Sequence, residues 1–295
     1  MGLYPPREES HLANQRLRKY SKNWYVDGYY GDDDASNPGD RPEKPLYTIT
    51  EALDRCTAGQ YDTIYVSRAA VIEATPIVVN KSSVRIIGDP YTVPGSAANC
   101  VVIATGDTDC FTFAAADISI EGFMLQAGAT SAGVGFTAVV GGVRQRIEKC
   151  TFYKGAYGVL APNAADSPSH YLSVLDCLFL PSGSTTGGIS YGSNGSWPIF
   201  RGNFFEYVAA PNIYVWGSGH AGGRIENNKF MVSADAAGIA ITIGANATRY
   251  TVADNCANNA AQDAITANPF VDTPGTSAWY RNVKSGTGYT DAEPT

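Results

Sequence analysis

The sequence predicts an all-β protein wound as a parallel β-helix, and three observations carry that prediction. A short phrase returns along the chain as Ile120-Glu-Gly-Phe, Ile147-Glu-Lys-Cys, Val174-Leu-Asp-Cys, Phe200-Arg-Gly-Asn, Ile225-Glu-Asn-Asn and Val252-Ala-Asp-Asn, at steps of 27, 27, 26, 25 and 27 residues. A fixed period in this range marks a repeat protein. Five residues after each lead position stand Leu125, Phe152, Phe179, Phe205, Phe230 and Ala257, a second apolar column with the same step. Between phrases an apolar alternation recurs at Val159 and Ala161, Ile189 and Tyr191, Ile213 and Val215, Ile239 and Ile241, and Ile265 and Ala267. Period-two alternation with Gly or Asn at the corners is the pattern of short strands, at least two per unit; helical repeats need an i, i+3, i+4 spacing that these units lack.

Stacking such units lets each strand pair with its copy in the next coil, roughly 4.8 Å away. The interior then fills with columns of like residues: Phe152, Phe179, Phe205 and Phe230 in one, Cys150 and Cys177 followed by Asn203, Asn228 and Asn255 in another. A corner Asn satisfies backbone groups from coil to coil, so burying its amide costs little. Cys150 and Cys177 are expected as small buried thiols. The remaining Cys56, Cys100, Cys110 and Cys256 show neither CxxC spacing nor a His at metal spacing, which fits reduced thiols and assembly in a cytosol.

At 295 residues the unbroken repeat favours a single solenoid body over two compact domains. A net charge of −7 and a pI near 5.0 argue against nucleic acid as a partner, because binding phosphates needs a basic stripe. No apolar run approaches the length of a membrane span. The start, MGLYPPREESHLANQRLRKY, lacks the apolar core of a secretory signal, so export by that route is not expected. No cofactor is expected.

Taken in order, residues 1–23 form a polar, locally basic arm, with Arg7, Arg16, Arg18, Lys19 and Lys22 against Glu8 and Glu9. The arm is expected to anchor on a partner subunit or neighbouring protein; the alternative is an arm folded against its own body. Residues 24–60 form a lead-in segment with a short capping helix. Thr48-Ile-Thr-Glu51 reads as a capping box, and Ile49, Ala52, Leu53 and Cys56 line one helical face that would lie over the open end of the solenoid. Asp32, Asp33, Asp34 and Asp40 beside Asn37 are candidates for a cation site. Without the spacing and final Glu of an EF-hand, a solvated Asx-rich turn is the stronger reading.

Residues 61–268 form the β-helix. Ile64 and Val66, Ile77 and Val79, and Val84 and Ile86 give the first coils. From Ile86 to Ile120 the step is 34, and the excess falls in DPYTVPGSAANC, a Pro-Gly-rich loop expected to leave the coil and touch partners. After Ile265 the periodicity is expected to end: Pro269 and Pro274 stop the coil, Phe270, Trp279 and Tyr280 cover the second open end, and residues 269–295 form a cap and polar tail.

Two candidate sites follow. Glu121, Glu148 and Glu226 share one repeat position, with Leu175 and Arg201 interrupting the column and Arg144, Arg146 and Arg224 close in sequence, so surface ion pairs outrank catalysis. Asp176 and Asp254 share the next position but stand three coils apart, roughly 14 Å at 4.8 Å per coil. Glu148 and Asp176 are the weak catalytic candidates. On the strand Asn212-Ile-Tyr-Val-Trp, alternation turns Tyr214 and Trp216 outward, with Tyr207, Trp197 and His220 flanking. Exposed aromatics anchor subunit interfaces or stack on sugar rings.

The lead-in segment also carries a resemblance. Val26, Asp27, Gly31, Asp33, Asn37, Pro38, Gly39, Pro45, Leu46, Thr48, Ile49, Ala52 and Leu53 match the pattern V-D-x-x-x-G-x-D-x-x-N-P-G-x-x-x-x-P-[FLY]-x-T-I-x-x-A-L, which precedes the first coil in right-handed β-helix proteins of the pectate-lyase-like superfamily. The resemblance implies a right-handed, single-stranded β-helix. It also implies a choice of function. In the enzymes, one outer face carries clustered Asp residues for hydrolysis, or calcium-binding carboxylates with an Arg or Lys base for elimination, and neither signature is visible here. The body is also similar to phage β-helical spikes. That likeness gives the leading expectation: a bacteriophage virion protein, a projecting head decoration or small spike, homotrimeric, held to other virion proteins by its arm and able to contact host polysaccharide. The rivals are a polysaccharide lyase or glycoside hydrolase of the tailspike depolymerase kind, and a non-catalytic glycan-binding adhesin.

Overall fold

A computed structural model describes residues 21–67, 74–88, 100–137, 144–161, 170–180, 187–192, 196–206, 208, 211–216, 220–232, 238–259, 268–284 and 290–291. Among these, one short helix accompanies three sheets of ten, nine and eight strands. Each full coil contributes three strands, one to each sheet, as in Ile199–Arg201, Phe204–Glu206 and Ile213–Val215. Every neighbour in the ten- and eight-stranded sheets pairs parallel, so the chain is a parallel β-helix.

The repeated phrase forms the ten-stranded lead sheet. Ile120 pairs with Ile147, Ile147 with Val174, Val174 with Phe200, Phe200 with Ile225 and Ile225 with Val252, so one sequence period is one turn of the solenoid. The nine-stranded sheet carries the second column, in which the rings of Phe152, Phe179, Phe205 and Phe230 stack at centroid distances of 4.6, 4.4 and 4.9 Å and lie within 12° of parallel. Room for that stack comes from glycine. A Cβ on Gly133, Gly158 or Gly188 would fall 2.3–2.5 Å from the ring of Phe152, Phe179 or Phe205 respectively.

The corner after each lead strand takes left-handed backbone at the third residue of the phrase: Gly122, Lys149, Asp176, Gly202, Asn227, Asp254 and Arg281, with φ between 51 and 81°. Gly, Asn and Asp favour that region because they carry little or no steric penalty there. Just inside the corner, Asn203, Asn228, Asn255 and Asn282 form a buried ladder. The Nδ2 of each of the first three bonds into the next coil: Asn203 Nδ2 donates to Asn228 Oδ1, Asn228 Nδ2 to Asn255 Oδ1 and Asn255 Nδ2 to Asn282 Oδ1, at 2.9–3.0 Å. Below Asn203 the position passes to Cys177 and Cys150, both free and buried. Burial pushes the Cys177 thiol well up, and the buried Cys56 and Cys110 thiols up to about 12; all three are inert protonated packing groups.

The helix Ile49–Arg55 packs Ile49, Ala52 and Leu53 against the first strands and covers the open end of the coil. Only half of the expected capping box forms. Thr48 Oγ1 accepts from Glu51 N at 3.0 Å, but the Glu51 carboxylate pairs with Arg55 at 2.7 Å. Asp33 takes the vacant role: it accepts from the backbone N–H groups of Tyr47 and Thr48 and from the Thr48 hydroxyl, at 2.7, 3.2 and 2.7 Å. Asp33→Ala is therefore expected to destabilise the helix by about 1–2 kcal/mol, the range for losing an N-cap. Faster amide hydrogen exchange at Glu51 and Ala52, with the lead-sheet amides unchanged, is the check.

Two expectations are corrected. The alternation at Ile239 and Ile241 is out of register: Ile213 pairs with Ile241 and Val215 with Ile243. Ile239, Ile241 and Ile243 all alternate, and a two-residue slip preserves the inward face, so pattern alone could not choose between them. Nor do the coils stop near residue 268. Phe270–Asp272, Ala278–Tyr280 and Val283–Lys284 add a further strand to each sheet, with Trp279 paired to Val252 in the lead column and Asn282 extending the ladder. Pro269 and Pro274 sit at corners where a missing N–H costs nothing, and the Pro269 carbonyl accepts from Ala240 and Ile241. Thr290–Asp291 then pairs antiparallel with the last strand. Ile265, Ala267 and the excess loop at 89–99 lie outside the described residues.

Candidate functional site: the outer face of the lead sheet

Side chains that point away from the core on the lead sheet form two registered columns. One runs Glu121, Glu148, Leu175, Arg201 and Glu226; the other runs Arg85, Ser119, Arg146, Ser173, Ile199 and Arg224. Glu121 and Glu148 are like charges directly opposite each other, an arrangement that destabilises a sheet unless cations intervene. They do intervene. Glu121 lies 2.6 Å from Arg85 and 2.8 Å from Lys149, while Glu148 lies 2.6 Å from Arg146 and 3.7 Å from Lys149. Partial burial works to raise the Glu121 pKa, but the hydrogen bonds from Lys149 and Arg85 outweigh it and hold the carboxyl below its usual range. The same contact with Glu121 raises the Lys149 ammonium, with Glu148 and Asp176 adding to it.

Asp176 occupies the left-handed corner one coil above Lys149, and its carboxylate lies over Gly202, where a Cβ would fall 2.0 Å from Oδ1. Asp254 makes a two-pronged pair with Arg281 at 2.6 and 2.7 Å, which lowers its pKa. Arg144 and Asp117 form a matching pair at the opposite corner, at 2.5 and 2.8 Å, beside a groove of about 520 Å³ lined by Tyr61, Ser83 and Arg146. The catalytic candidates Glu148 and Asp176 are thus brought onto adjacent coils, around one lysine. Glycoside hydrolysis needs an acid of raised pKa facing an ionised partner, whereas here Glu121 is held ionised and Glu148 is flanked by two cations.

Sequence reasoning missed Asp107 and Asp109, whose environments differ. Hydrogen bonds from the Thr130 hydroxyl and N–H lower Asp107, and burial raises Asp109. Both carboxylates clamp the turn of the next coil, Asp107 through Thr130 and Ser131 and Asp109 through the Ala132 N–H. A D-T-D turn two residues before an apolar strand is the signal that could have flagged them.

Of the aromatic candidates, the described side chains of Tyr214, Trp216 and Trp197 fall on two sheets. Tyr214 and Trp216 lie on the eight-stranded sheet, half-buried, rings 6.2 Å apart and 21° from parallel, with Trp216 Nε1 donating to Ser190 Oγ at 2.9 Å. Trp197 is at the leading edge of the lead sheet, exposed, in left-handed backbone and packed over Gly222, and His220 opens the strand His220–Glu226 on that same sheet. The corner conformation, which alternation does not reveal, sets the direction of Trp197. Tyr207 and the arm residues Arg7, Arg16, Arg18 and Lys19 lie outside the described residues. Lys22 is seen at the first rung, its N–H on Asp62 Oδ1 at 2.7 Å and its ammonium 5.7 Å from the Trp24 ring.

The acidic lead-in turn is built as an Asx-rich turn. Asp32 Oδ1 accepts from Asp34 N and Asp34 Oδ1 from Ser36 N, at 3.0 and 2.8 Å, and Asp33 is spent on the helix cap. Among the described residues no group of His, Cys, Asp and Glu is arranged to hold a metal ion, Asp32, Asp33 and Asp34 included, and no helix is long and apolar enough to cross a membrane.

Fold and face together define a parallel β-helix protein with a charge-laddered outer sheet. Neither a protein-family model nor a curated protein matches the chain. Among solved structures it is similar to the GH136 lacto-N-biosidase from Eubacterium ramulus, native protein, at 14% identity and a TM-score of 0.58 over 94% of this chain and 57% of that one. It is also similar to ORF18 of Geobacillus virus E2, at 12% identity and a TM-score of 0.45 over 96% of this chain and 64% of that one. The chain spans a little over half the length of the lacto-N-biosidase, and that likeness is one of fold.

Proposed function

We propose that the protein is a structural component of a bacteriophage virion: a β-helical body projecting as a head decoration or small spike, assembled as a homotrimer and held by its N-terminal arm. The observation that carries this reading is the wiring of the lead-sheet face. Its acids are set between cations of their own and neighbouring coils, Glu121 between Arg85 and Lys149 and Glu148 between Arg146 and Lys149. Such a face braces coil to coil, as a rod exposed outside a particle requires, and does not present a proton donor opposite a nucleophile. The similarity of the body to phage β-helical spikes supplies the virion context. Tyr214 and Trp216, paired on the eight-stranded sheet, supply the contact with the neighbouring subunit, since large aromatics anchor such interfaces.

A glycoside hydrolase is the second reading, favoured by one observation: Glu121 and Glu148 stand in register on adjacent coils, a placement that suits two carboxylates flanking one bond. The test has two parts. The mass of the full chain in solution should be that of a trimer, and the chain should bind particles that lack it; a monomer without such affinity would sink the virion proposal. Incubation with host capsule or lipopolysaccharide should release no reducing ends. Product that disappears in Glu148→Gln would establish the hydrolase instead.

A further inference from the structure

The outer column of the lead sheet changes character at its first coils. Where higher coils carry Glu121 and Glu148, the first three carry Tyr25, Tyr65 and Ile87 in register. Tyr25 and Tyr65 stack at 5.5 Å and 20°. With Pro42, Pro45 and Asp27 they line a cavity of about 400 Å³. Beyond its rim Tyr29 and Tyr30 are 76 and 78% exposed, edge to face at 4.6 Å. A solvated strand face has no reason to gather tyrosine and proline, and contiguous apolar surface of this kind marks a binding groove. The surrounding loop is acidic, with Asp27, Asp32, Asp33, Asp34, Asp40 and Glu43 against Arg41 and Lys44.

We infer that this groove is the docking site of the chain's own N-terminal segment, Leu3–Arg7. Aromatic grooves recognise proline-rich stretches because such stretches are already biased to an extended polyproline conformation and lose little entropy on binding. The chain starts Met-Gly-Leu3-Tyr4-Pro5-Pro6-Arg7, two apolar residues, two prolines and a cation in a row. The cavity is at the small end of ligand pockets, a size for one or two side chains, here the proline rings, with Arg7 directed to the acidic rim. Charge favours the match throughout: the arm carries Arg7, Arg16, Arg18, Lys19 and Lys22 against Glu8 and Glu9.

The reach is sufficient. Lys22 is fixed to Asp62 at the start of the strand Asn23–Val26, and the groove lies at that strand's other end, roughly 13 Å away at 3.3 Å per residue. The fourteen Cα-to-Cα steps from Arg7 to Ser21 span at most roughly 45–50 Å. A covalent link of that length presents the segment at an effective concentration on the order of millimolar, so a weak peptide site is enough. The inference does not rest on the virion reading and survives its failure; it takes only Leu3–Arg7, leaving Arg16, Arg18 and Lys19 for the anchoring that reading asks of the arm.

Photo-cross-linking of the full chain tests it, with Tyr4→benzoylphenylalanine as the probe and a mixture of isotopically light and heavy chains. The expected result is a cross-link within one chain to peptides containing Tyr25, Pro42 or Tyr65. Its yield should fall about tenfold, the factor for losing 1.4 kcal/mol of binding, in Tyr65→Ala, an outward-facing substitution, and in Arg7→Glu. Cross-links between light and heavy chains would overturn the inference in favour of a second copy as occupant. Cross-links elsewhere, no cross-link at all, or an unchanged yield in both variants would also overturn it.

Discussion

Phe205→Asp is expected to abolish the cooperative thermal transition of the solenoid. Phe205 is fully buried, sandwiched between Phe179 and Phe230 at 4.4 and 4.9 Å, with the Cα of Gly188 against its ring edge. Removing a buried Phe side chain costs about 3–5 kcal/mol. The carboxylate adds an uncompensated buried charge, worth several kcal/mol more after relaxation. Together these approach the roughly 5–15 kcal/mol that holds a whole domain folded. A solenoid is also vulnerable in a particular way, because its stability is nearly a sum of neighbour-to-neighbour terms, and a defect in the middle uncouples the coils on either side. Phe205→Leu is the control: it keeps an apolar group and forfeits mainly the ring-on-ring contacts, about 0.5–1.5 kcal/mol each. Circular dichroism melts of both variants decide the matter. A wild-type transition in Phe205→Asp would mean that the four rings are not neighbours along one axis.

How much of this was legible depended on whether a contact keeps the sequence period. Phe152, Phe179, Phe205 and Phe230 keep it, as do Asn203, Asn228 and Asn255, so counting alone stacked them. Asn282 keeps it too, at a step of 27 from Asn255, yet the prolines at 269 and 274 masked the continuation until their corner positions were seen. Left-handed corners were half-legible: Gly, Asn and Asp at the third residue of the phrase announce them, while Lys149 and Arg281 in the same conformation do not. The lysine matters most, because its corner sends the ammonium between Glu121 and Glu148 and ties their two coils together. The tyrosine groove was invisible for a different reason. Tyr25, Tyr65 and Ile87 are separated by steps of 40 and 22 residues, before the chain has settled into its regular coil.

Asn228→Leu is the second substitution with a large expected effect, about 2–6 kcal/mol. Leucine matches the amide in bulk, so the cost isolates the hydrogen bonds. Asn228 Oδ1 accepts from the backbone N–H and the Nδ2 of Asn203, each at 3.0 Å, and its Nδ2 donates to Phe200 O at 2.9 Å and Asn255 Oδ1 at 3.0 Å. With leucine in place, the Asn203 N–H and the Phe200 carbonyl are left buried without these partners. Each such orphan costs about 1–3 kcal/mol, and the low local dielectric makes a broken ladder cost more than a missing one. The chain contains its own comparison. One step below Asn203 the ladder passes to Cys177, whose Sγ reaches Leu175 O at 3.2 Å and whose N–H is still accepted by Asn203 Oδ1 at 3.0 Å. A thiol is tolerated where the ladder ends: beneath it the Cys150 N–H turns to the Cys177 sulfur, a weaker acceptor than an amide oxygen. In mid-ladder Asn228→Cys should lie between wild type and leucine in denaturant unfolding. Amide exchange at Asn203 should accelerate in Asn228→Leu while Ile64, in the second lead strand, stays protected. Equal stability of all three proteins would show that packing alone holds this corner and that the buried amides contribute nothing to the stack.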